Sequence, residues 1–385
     1  MRRRLLTDEH ELFRDAVRRF LLKEVAPHAE RWREQGIVDR AAWLKAGENG
    51  LLLMWADRKY GGAGIEDFRF DQVLSEEWFR YGDGGFAVPL HNRIVGPYLA
   101  RLGTEEQRRR YLPKCITGES ILAIAITEPG AGSDVSGMRA RADDEGTHWR
   151  LNGSKIYISN GILADVVVVA ARTSSDNPRA IGLFVVERGM PGFERGRKLA
   201  KMGLKSQDTA ELFFKDVLVP KENVLGDPHK GFYSLMQFLP EERIMSAIRS
   251  HAQASRAFDI TLEFVKGRTL FGRKLGAFQN TRFKMADMRT QLDLHQAFID
   301  HCVAEHLDGR LTAELAAEAK LACSESEGRI VDECVQLFGG AGYMDEYEIS
   351  RIYTNARVTR IYAGSSEVMR EIIGRSLGLD ERKLD

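Results

Sequence analysis

The sequence predicts an α+β multidomain chain in three successive zones: helical over 1–119, β over 120–228 and helical again over 229–385. Three observations predict it. Apolar residues recur at helical spacing in the outer zones, and short β-branched and aromatic runs crowd the middle one. Strands and helices do not alternate, which argues against a doubly wound parallel sheet.

In the first zone Leu12, Phe13, Ala16, Val17, Phe20, Leu21 and Val25 form one helical stripe. "YGGAG" at 60–64 and "YGDGG" at 81–85 break the helical pattern. The middle zone carries the runs "ILAIAIT", "WRLNGSKIYIS", "DVVVVAAR", "IGLFVVE" and "AELFFKDVLV", and Asn152-Gly153 predicts a hairpin inside the second of them. In the last zone "FLPEERIMSAIRSH" sets Pro240 at a first helical position, with Glu241 and Glu242 in the first turn. On these local grounds either glutamate starts a helix or serves as a catalyst, with helix start the commoner use of such acids.

The composition excludes several function classes. The 385 residues carry 56 basic and 56 acidic side chains, a net charge of zero, and so no basic field for nucleic acid or an anionic membrane. The apolar run "VVVVAA" from Val166 is far too short to span a bilayer. "MRRRLL" is followed by Thr7, Asp8 and Glu9 before any signal-peptide core develops. Cys115, Cys302, Cys323 and Cys334 lie far apart and read as reduced thiols of a cytoplasmic protein.

Several motifs fail on their requirements. "GRSLG" at 374–378 matches a hydrolase elbow, but the last histidine is His306, upstream of it. "GRTLFGRK" from Gly267 has Arg273 where a P-loop needs lysine. His295, His301 and His306 do not share a helical face, and Cys302 with His306 is too small a set for zinc, so no metal is expected.

"AIAITEPGAGSDVSGM", 123–138, differs in kind: a strand runs into a turn with three glycines and the hydroxyls of Ser133 and Ser136. Free backbone N–H groups and a serine can hold a phosphate there. In "GSKIYISNG", Tyr157 and Ser159 fall two apart on one strand face, pairing an aromatic plane with a hydroxyl.

With "NGSKIYISNG", "GRKLAKMGLKSQDTAELFF", "RTLFGRKLGAFQ", "QLFGGAGY" and "IYAGSSEVMREIIGR", the "TEPGAGSD" motif resembles the acyl-CoA dehydrogenase family from about Leu12 to Leu377. "GLKSQDTAELFF" and "KGFYSLMQFLPEER" make the long-chain type the most similar. The resemblance implies an N-terminal helical domain, a middle β-barrel and a C-terminal four-helix bundle, with FAD between barrel and bundle. It implies that Ile124, Ala125, Ile126 and Thr127 border the flavin, and that Gly132 and Ser133 reach its phosphates. Tyr157, Ile158 and Ser159 would cover the ring. Arg268, Phe271, Gln279 and the run Gln336, Leu337, Phe338, Gly339, Gly340 would reach FAD from a neighbouring subunit, so a homodimer or homotetramer is expected. Ser365, Ser366 and Glu367 would complete the cofactor site. The acyl-CoA would meet Ser133, Tyr233, Pro240, Glu241, Glu242, Arg243, Ala363 and Gly364, with Gly84 and Gly85 leaving the far end of the acyl tunnel uncapped.

Many relatives carry the base as the glutamate of a Tyr-Glu-Gly triplet; here the triplet is Tyr362-Ala363-Gly364. The long-chain and isovaleryl types carry it before an arginine on a bundle helix, which Glu242-Arg243 matches. The resemblance therefore assigns Glu242 as the base and leaves Glu241 the helix start. It implies α-proton removal, β-hydride transfer to flavin N5 and a trans-2-enoyl-CoA product in fatty-acid β-oxidation. An electron-transfer flavoprotein would take the electrons. A short branched substrate, an oxidase or a non-catalytic acyl-CoA-binding relative are the alternatives.

Overall fold

The computed structural model describes residues 3–380, and among them the helix–β–helix order holds. The first zone is α1 (Asp8–Phe20), α2 (Ala29–Gln35), α3 (Arg40–Glu48), α4 (Phe68–Tyr81), α5 (Gly96–Leu102) and α6 (Glu105–Thr117). Thr7 starts α1 through a capping box with His10. Val17, Phe20, Leu21 and Val25 of the expected stripe are buried, but Leu12 is 69% exposed and points outward.

The middle zone is a curled seven-stranded sheet of β1 (Leu122–Ala125), β2 (Arg141–Asp144), β3 (His148–Ser159), β4 (Val166–Arg172), β5 (Ile181–Glu187), β6 (Phe193–Lys198) and β7 (Thr209–Pro220). Its order is β1-β4-β2-β3-β7-β6, with β5 pairing on β4 and β1 parallel to β4. The expected hairpin at Asn152-Gly153 is not there, because β3 runs unbroken through it. The pairing with β7 slips between Leu151 and Gly153 instead, and Gly153 takes φ +142°. A Cβ at residue 153 would lie 2.6 Å from that of Ala140. Asn152 meanwhile bonds across to Asp216, accepting from its backbone N–H at 2.9 Å. A glycine that reads as a turn signal serves here as a bulge where another backbone approaches. Strands β2 and β6 escape the sequence reading because "RADD" and "FERGRK" are too charged to carry a β signal.

The last zone is α7 (Gly231–Gly267), a two-stranded hairpin β8 (Thr269–Leu270) and β9 (Arg273–Lys274), then α8 (Gln279–Leu307), α9 (Ala313–Phe338), α10 (Glu348–Ala356) and α11 (Ser366–Ser376). Pro240 does not start a helix. Helix α7 is 37 residues long and begins at Gly231, so Pro240 lies inside it and Glu241 and Glu242 are interior residues. Leu235 and Phe238, before the proline, are buried in the core shared by the first zone and the sheet, and Ile244 and Ile248 are buried beyond it. Burial on both sides outweighs the one backbone hydrogen bond that proline removes. "GRSLG" falls at the end of α11 and beyond it, with no strand before it.

Candidate active site

Two consecutive glutamates on α7 have opposite surroundings. Glu241, 5% exposed, meets Arg101 at 2.8 Å and Arg93 at 3.3 Å, with His306 at 3.8 Å. Burial alone would raise its pKa, but Arg93 and Arg101 hold it below the usual range. It is an anchor between α7 and the first zone rather than a helix-start acid. Glu242 accepts one hydrogen bond, from the Tyr98 hydroxyl to Oε1 at 3.0 Å. Burial lifts its pKa to about 7 against the lowering effect of that bond; Glu241 adds to the rise and Arg243 opposes it. A carboxyl poised near neutrality, with one oxygen held, is what a general base requires. Arg243 is 5% exposed, its Nε makes no hydrogen bond, and burial lowers its pKa.

The turn Tyr362-Ala363-Gly364 packs over α7 and α9. The Arg249 guanidinium donates to the Tyr362 hydroxyl and lies 5.4 Å from its ring centroid. The Lys320 ammonium, on a fully buried side chain, donates to the Gly364 carbonyl at 2.7 Å. Arg249 stands seven residues beyond Glu242 on α7, two turns along the same face. Ala363 takes φ +54° and Gly364 φ +91°, and no described carbonyl accepts the Ala363 N–H. A left-handed alanine is strained by roughly 1–2 kcal/mol, and such strain gathers at working sites. Neither Lys320 nor Arg249 is legible as a site residue in sequence, because each depends on packing against a segment far along the chain.

Gly84 and Gly85 are packed closely by other parts of the chain. A Cβ at Gly85 would lie 2.1 Å from Ser206 Oγ, and one at Gly84 would lie 3.3 Å from Leu204 Cδ2. Gly85 admits the backbone of Ser206 and Gln207, whereas Gly84 is bordered by the side chains of Leu204, Gln253 and Asn355. Tyr233, 58% exposed, stands on the first turn of α7.

Apart from Ser365, Ser366 and Glu367 at the start of α11, the expected cofactor residues fall into two sets. At the ends of β1 and β3, Tyr157 is 67% exposed with φ +62°, and nothing lies within 4 Å of a Cβ built on Gly130 or Gly132. The strand is irregular there, since the β3–β7 register shifts between Lys155 and Ile158. Lys155, fully buried and not foreseen, sets this end: its Nζ donates to the Ile126 carbonyl at 2.9 Å and to Glu128 at 2.8 Å. Glu128 in turn accepts from the N–H groups of Arg139 and Ala140, closing the glycine turn. An exposed aromatic plane beside an uncluttered glycine backbone fits a flat, phosphate-bearing cofactor such as FAD. Ala125 and Ile158 are buried in the sheet core, so only their backbone can face a ligand.

The second set stands where α7 ends, α8 begins and α9 ends. Phe271 is 87% exposed with φ +49°, Arg268, Gln279 and Gln336 are exposed, and nothing lies within 4 Å of a Cβ on Gly339 or Gly340. Phe338 is turned inward, stacked on Phe264 at 4.1 Å. Ser365 and Ser366 belong to neither set: they follow the Tyr362–Gly364 turn at the start of α11, where Ser366 donates to Glu325 at 2.6 Å and Ser365 accepts from the Val368 N–H. Gly267 lies 25 residues beyond Glu242 on α7 (267 − 242), roughly 38 Å at 1.5 Å per residue. One chain therefore does not bring the second set to its own Glu242.

Comparison with known proteins agrees with this architecture. The family descriptions "Acyl-CoA dehydrogenase, N-terminal domain", "middle domain" and "C-terminal domain" match residues 7–119, 123–217 and 229–378. The chain is 44% identical over 383 residues to the long-chain specific acyl-CoA dehydrogenase, mitochondrial, of Sus scrofa, covering 98% of this chain and 89% of that one. It superposes on the crystal structure of an acyl-CoA dehydrogenase from Geobacillus kaustophilus with TM-score 0.95 and 47% identity, over 97% of this chain and 99% of that one. A glutaryl-CoA dehydrogenase from Mycobacterium smegmatis, solved in complex with FADH2, aligns with TM-score 0.90 and 29% identity over 97% of this chain and 95% of that one.

Proposed function

The chain belongs to the acyl-CoA dehydrogenase family, FAD-dependent oxidoreductases acting on a CH–CH group, and from that premise we propose how this member works. It converts a medium-to-long-chain acyl-CoA to the trans-2-enoyl-CoA in fatty-acid β-oxidation, with Glu242 as the base. The observation that carries this reading is Glu242 itself. It is a desolvated carboxyl with pKa about 7 and one oxygen bonded only to Tyr98, while residue 363 of the C-terminal turn is alanine.

FAD, when bound, supplies the acceptor for the β-hydride. The protein's own part is binding, positioning and one proton. Tyr157, with Ile124, Thr127 and Ser159, would hold the flat ring, and Gly132 and Ser133 would offer N–H groups and a hydroxyl to its phosphates. Arg268, Phe271, Gln279 and Gln336 serve the cofactor of a partner subunit in this reading, which makes the working state a homo-oligomer; the end of α7 beside Arg268, ~38 Å along the helix from Glu242, supports it. The Ala363 N–H donates to the thioester carbonyl oxygen, which acidifies the α-carbon; a donor of this kind contributes on the order of 10² to 10³ in rate. Glu242 then takes the α-proton. An electron-transfer flavoprotein receives the electrons. The buried thiols at 115, 302, 323 and 334 support a reducing, cytoplasm-like compartment, and no described helix is long and apolar enough to cross a membrane.

The test is anaerobic mixing of the holoenzyme with straight and branched acyl-CoAs of increasing length, following flavin absorbance. Bleaching with chains of about eight carbons or more, each buried CH₂ adding roughly 0.8 kcal/mol, supports the reading. A maximum with a short branched chain replaces it with the isovaleryl-like alternative. Reoxidation by oxygen as fast as by an electron-transfer flavoprotein makes the protein an oxidase.

A further inference from the structure

Among the groups that touch Glu242, one comes from another zone of the fold. Tyr98 lies on α5, is 1% exposed, and directs its hydroxyl at Glu242 Oε1 from 3.0 Å. Its ring packs 4.4 Å from that of Phe238, which precedes Glu242 by one turn of α7. The phenol is thus fixed at its ring by α7 and at its hydroxyl by the base. No described group donates to Glu242 Oε2. The two oxygens of the carboxyl thus have different surroundings.

We propose that Tyr98 is the positioning residue of the base: its O–H occupies Oε1, fixes the Glu242 rotamer and leaves Oε2 as the oxygen that receives the α-proton. The proposal rests on the assignment of Glu242 as base. In the step it describes, the α C–H bond breaks, an O–H bond forms at Oε2, and the electron pair stays on the substrate. Tyr98 remains protonated throughout, because burial and the neighbouring Glu242 both push its own ionisation well above the ordinary phenol range. The charged groups facing Glu242 are Glu241 and Arg243, both on α7. Tyr98 is the group that reaches it from α5. A hydrogen bond to a carboxylate favours its charged form, so the hydroxyl also keeps the base ionised at lower pH than desolvation alone would allow.

The test isolates proton transfer. An acyl-CoA analogue with sulfur in place of the β-carbon has no β-hydride to give, so on the holoenzyme its α-deprotonation is read from the enolate-to-flavin charge-transfer absorbance across pH. For Tyr98→Phe, which keeps the ring packing, the midpoint of this signal is expected to rise by roughly one pH unit, a charge-assisted hydrogen bond lost. The deprotonation rate is expected to fall by up to ~10², the scale of a misplaced group. FAD content and melting temperature check folding, and Tyr98→Met, which removes ring and hydroxyl together, is expected to shift the midpoint in the same direction. A Tyr98→Phe midpoint and rate equal to wild type overturn the proposal. Glu242→Gln separates the two readings: if it still deprotonates the analogue, the base assignment itself fails; if it does not, an unshifted Tyr98→Phe sinks the positioning role alone.

Discussion

Glu241 and Glu242 are neighbours in the chain, yet Glu241 is bound to Arg93 and Arg101 of the N-terminal domain while the one described hydrogen-bond donor to Glu242 is the Tyr98 hydroxyl. Consecutive helical residues point about 100° apart, which lets one carboxylate be neutralised by arginines while the next is desolvated. The same burial therefore has two outcomes, a pKa held low at 241 and lifted to about 7 at 242.

The two isosteric variants should fail differently. Glu242→Gln is expected to keep FAD and fold while losing turnover by 10² to 10⁴, roughly the worth of a placed general base. Glu241→Gln leaves the buried Arg93 one carboxylate short and should cost about 1.5–3 kcal/mol of stability with modest change in turnover. Denaturation midpoints and flavin reduction rates, measured on both, decide it. Full turnover in Glu242→Gln removes the base assignment.

Part of the candidate site is legible in the chain, and the parts that are not share a cause. Motifs local in sequence, the glycine turn at 130–137 and Glu242-Arg243, point to it because their chemistry is carried within a few residues. Tyr98 and Glu242 stand 144 residues apart, and Lys320 and Gly364 stand 44 apart. No periodicity marks such pairs, since the fold alone creates them. Pro240 and Asn152-Gly153 misled for the opposite reason. Each carries a strong local signal, and long-range packing of α7 and of β3 against Ala140 overrode it.

Activity should rise with pH through neutrality. Glu242 must be ionised to act, and with its pKa at about 7 the rate constant for flavin reduction should climb between pH 6 and 8. Stability should run the other way. A carboxyl whose folded pKa is raised stabilises the fold fully below its unfolded pKa, about 4.3, and loses that contribution as pH rises through the folded value. Glu242→Gln should therefore gain melting temperature relative to wild type at pH 8 and not at pH 5. Equal differences at both would show that Glu242 does not titrate near neutrality.

The turn that offers the Ala363 N–H depends on Lys320. Lys320→Met leaves the Gly364 carbonyl without its 2.7 Å donor inside the protein. Loss of a buried charged donor costs about 1.5–3 kcal/mol, and a displaced oxyanion donor should lower turnover by roughly tenfold or more. Substrate carbonyl polarisation, read as the thioester C=O stretch in the bound complex, should weaken in step. An unchanged stretch would mean that the turn holds its shape without Lys320.

Gly85→Ala tests the packing of the 203–207 loop. Its Cβ would meet Ser206 Oγ at 2.1 Å and the Gln207 nitrogen at 2.5 Å, so a backbone must shift. The expected result is a destabilised protein, by about 1–3 kcal/mol as in other overpacked sites, with its chain-length ranking preserved. A selective loss of the longest acyl-CoAs, with melting temperature intact, would instead return this glycine to the wall of the acyl tunnel.

The base should also be movable. Residue 363 occupies the turn clamped by Arg249 and Lys320, and its left-handed φ of +54° is already tolerated with an alanine Cβ, so a glutamate there adds little further backbone strain. Glu242→Ala alone is expected to be nearly inactive. Adding Ala363→Glu supplies a carboxylate from the other side, with the 363 N–H and the cofactor site unaltered. Rescue should be partial, since a misplacement of ~1 Å costs on the order of 10² and no partner such as Tyr98 orients the new acid. Ala363→Glu in the presence of Glu242 should be slower than wild type, because two carboxyls in a desolvated site raise one another's pKa and one stays protonated. Stopped-flow flavin reduction on wild type, both single variants and the double variant gives the comparison. If the double variant is no faster than Glu242→Ala, the side chain of residue 363 does not reach the α-carbon, and the Tyr362–Gly364 turn contributes its backbone alone.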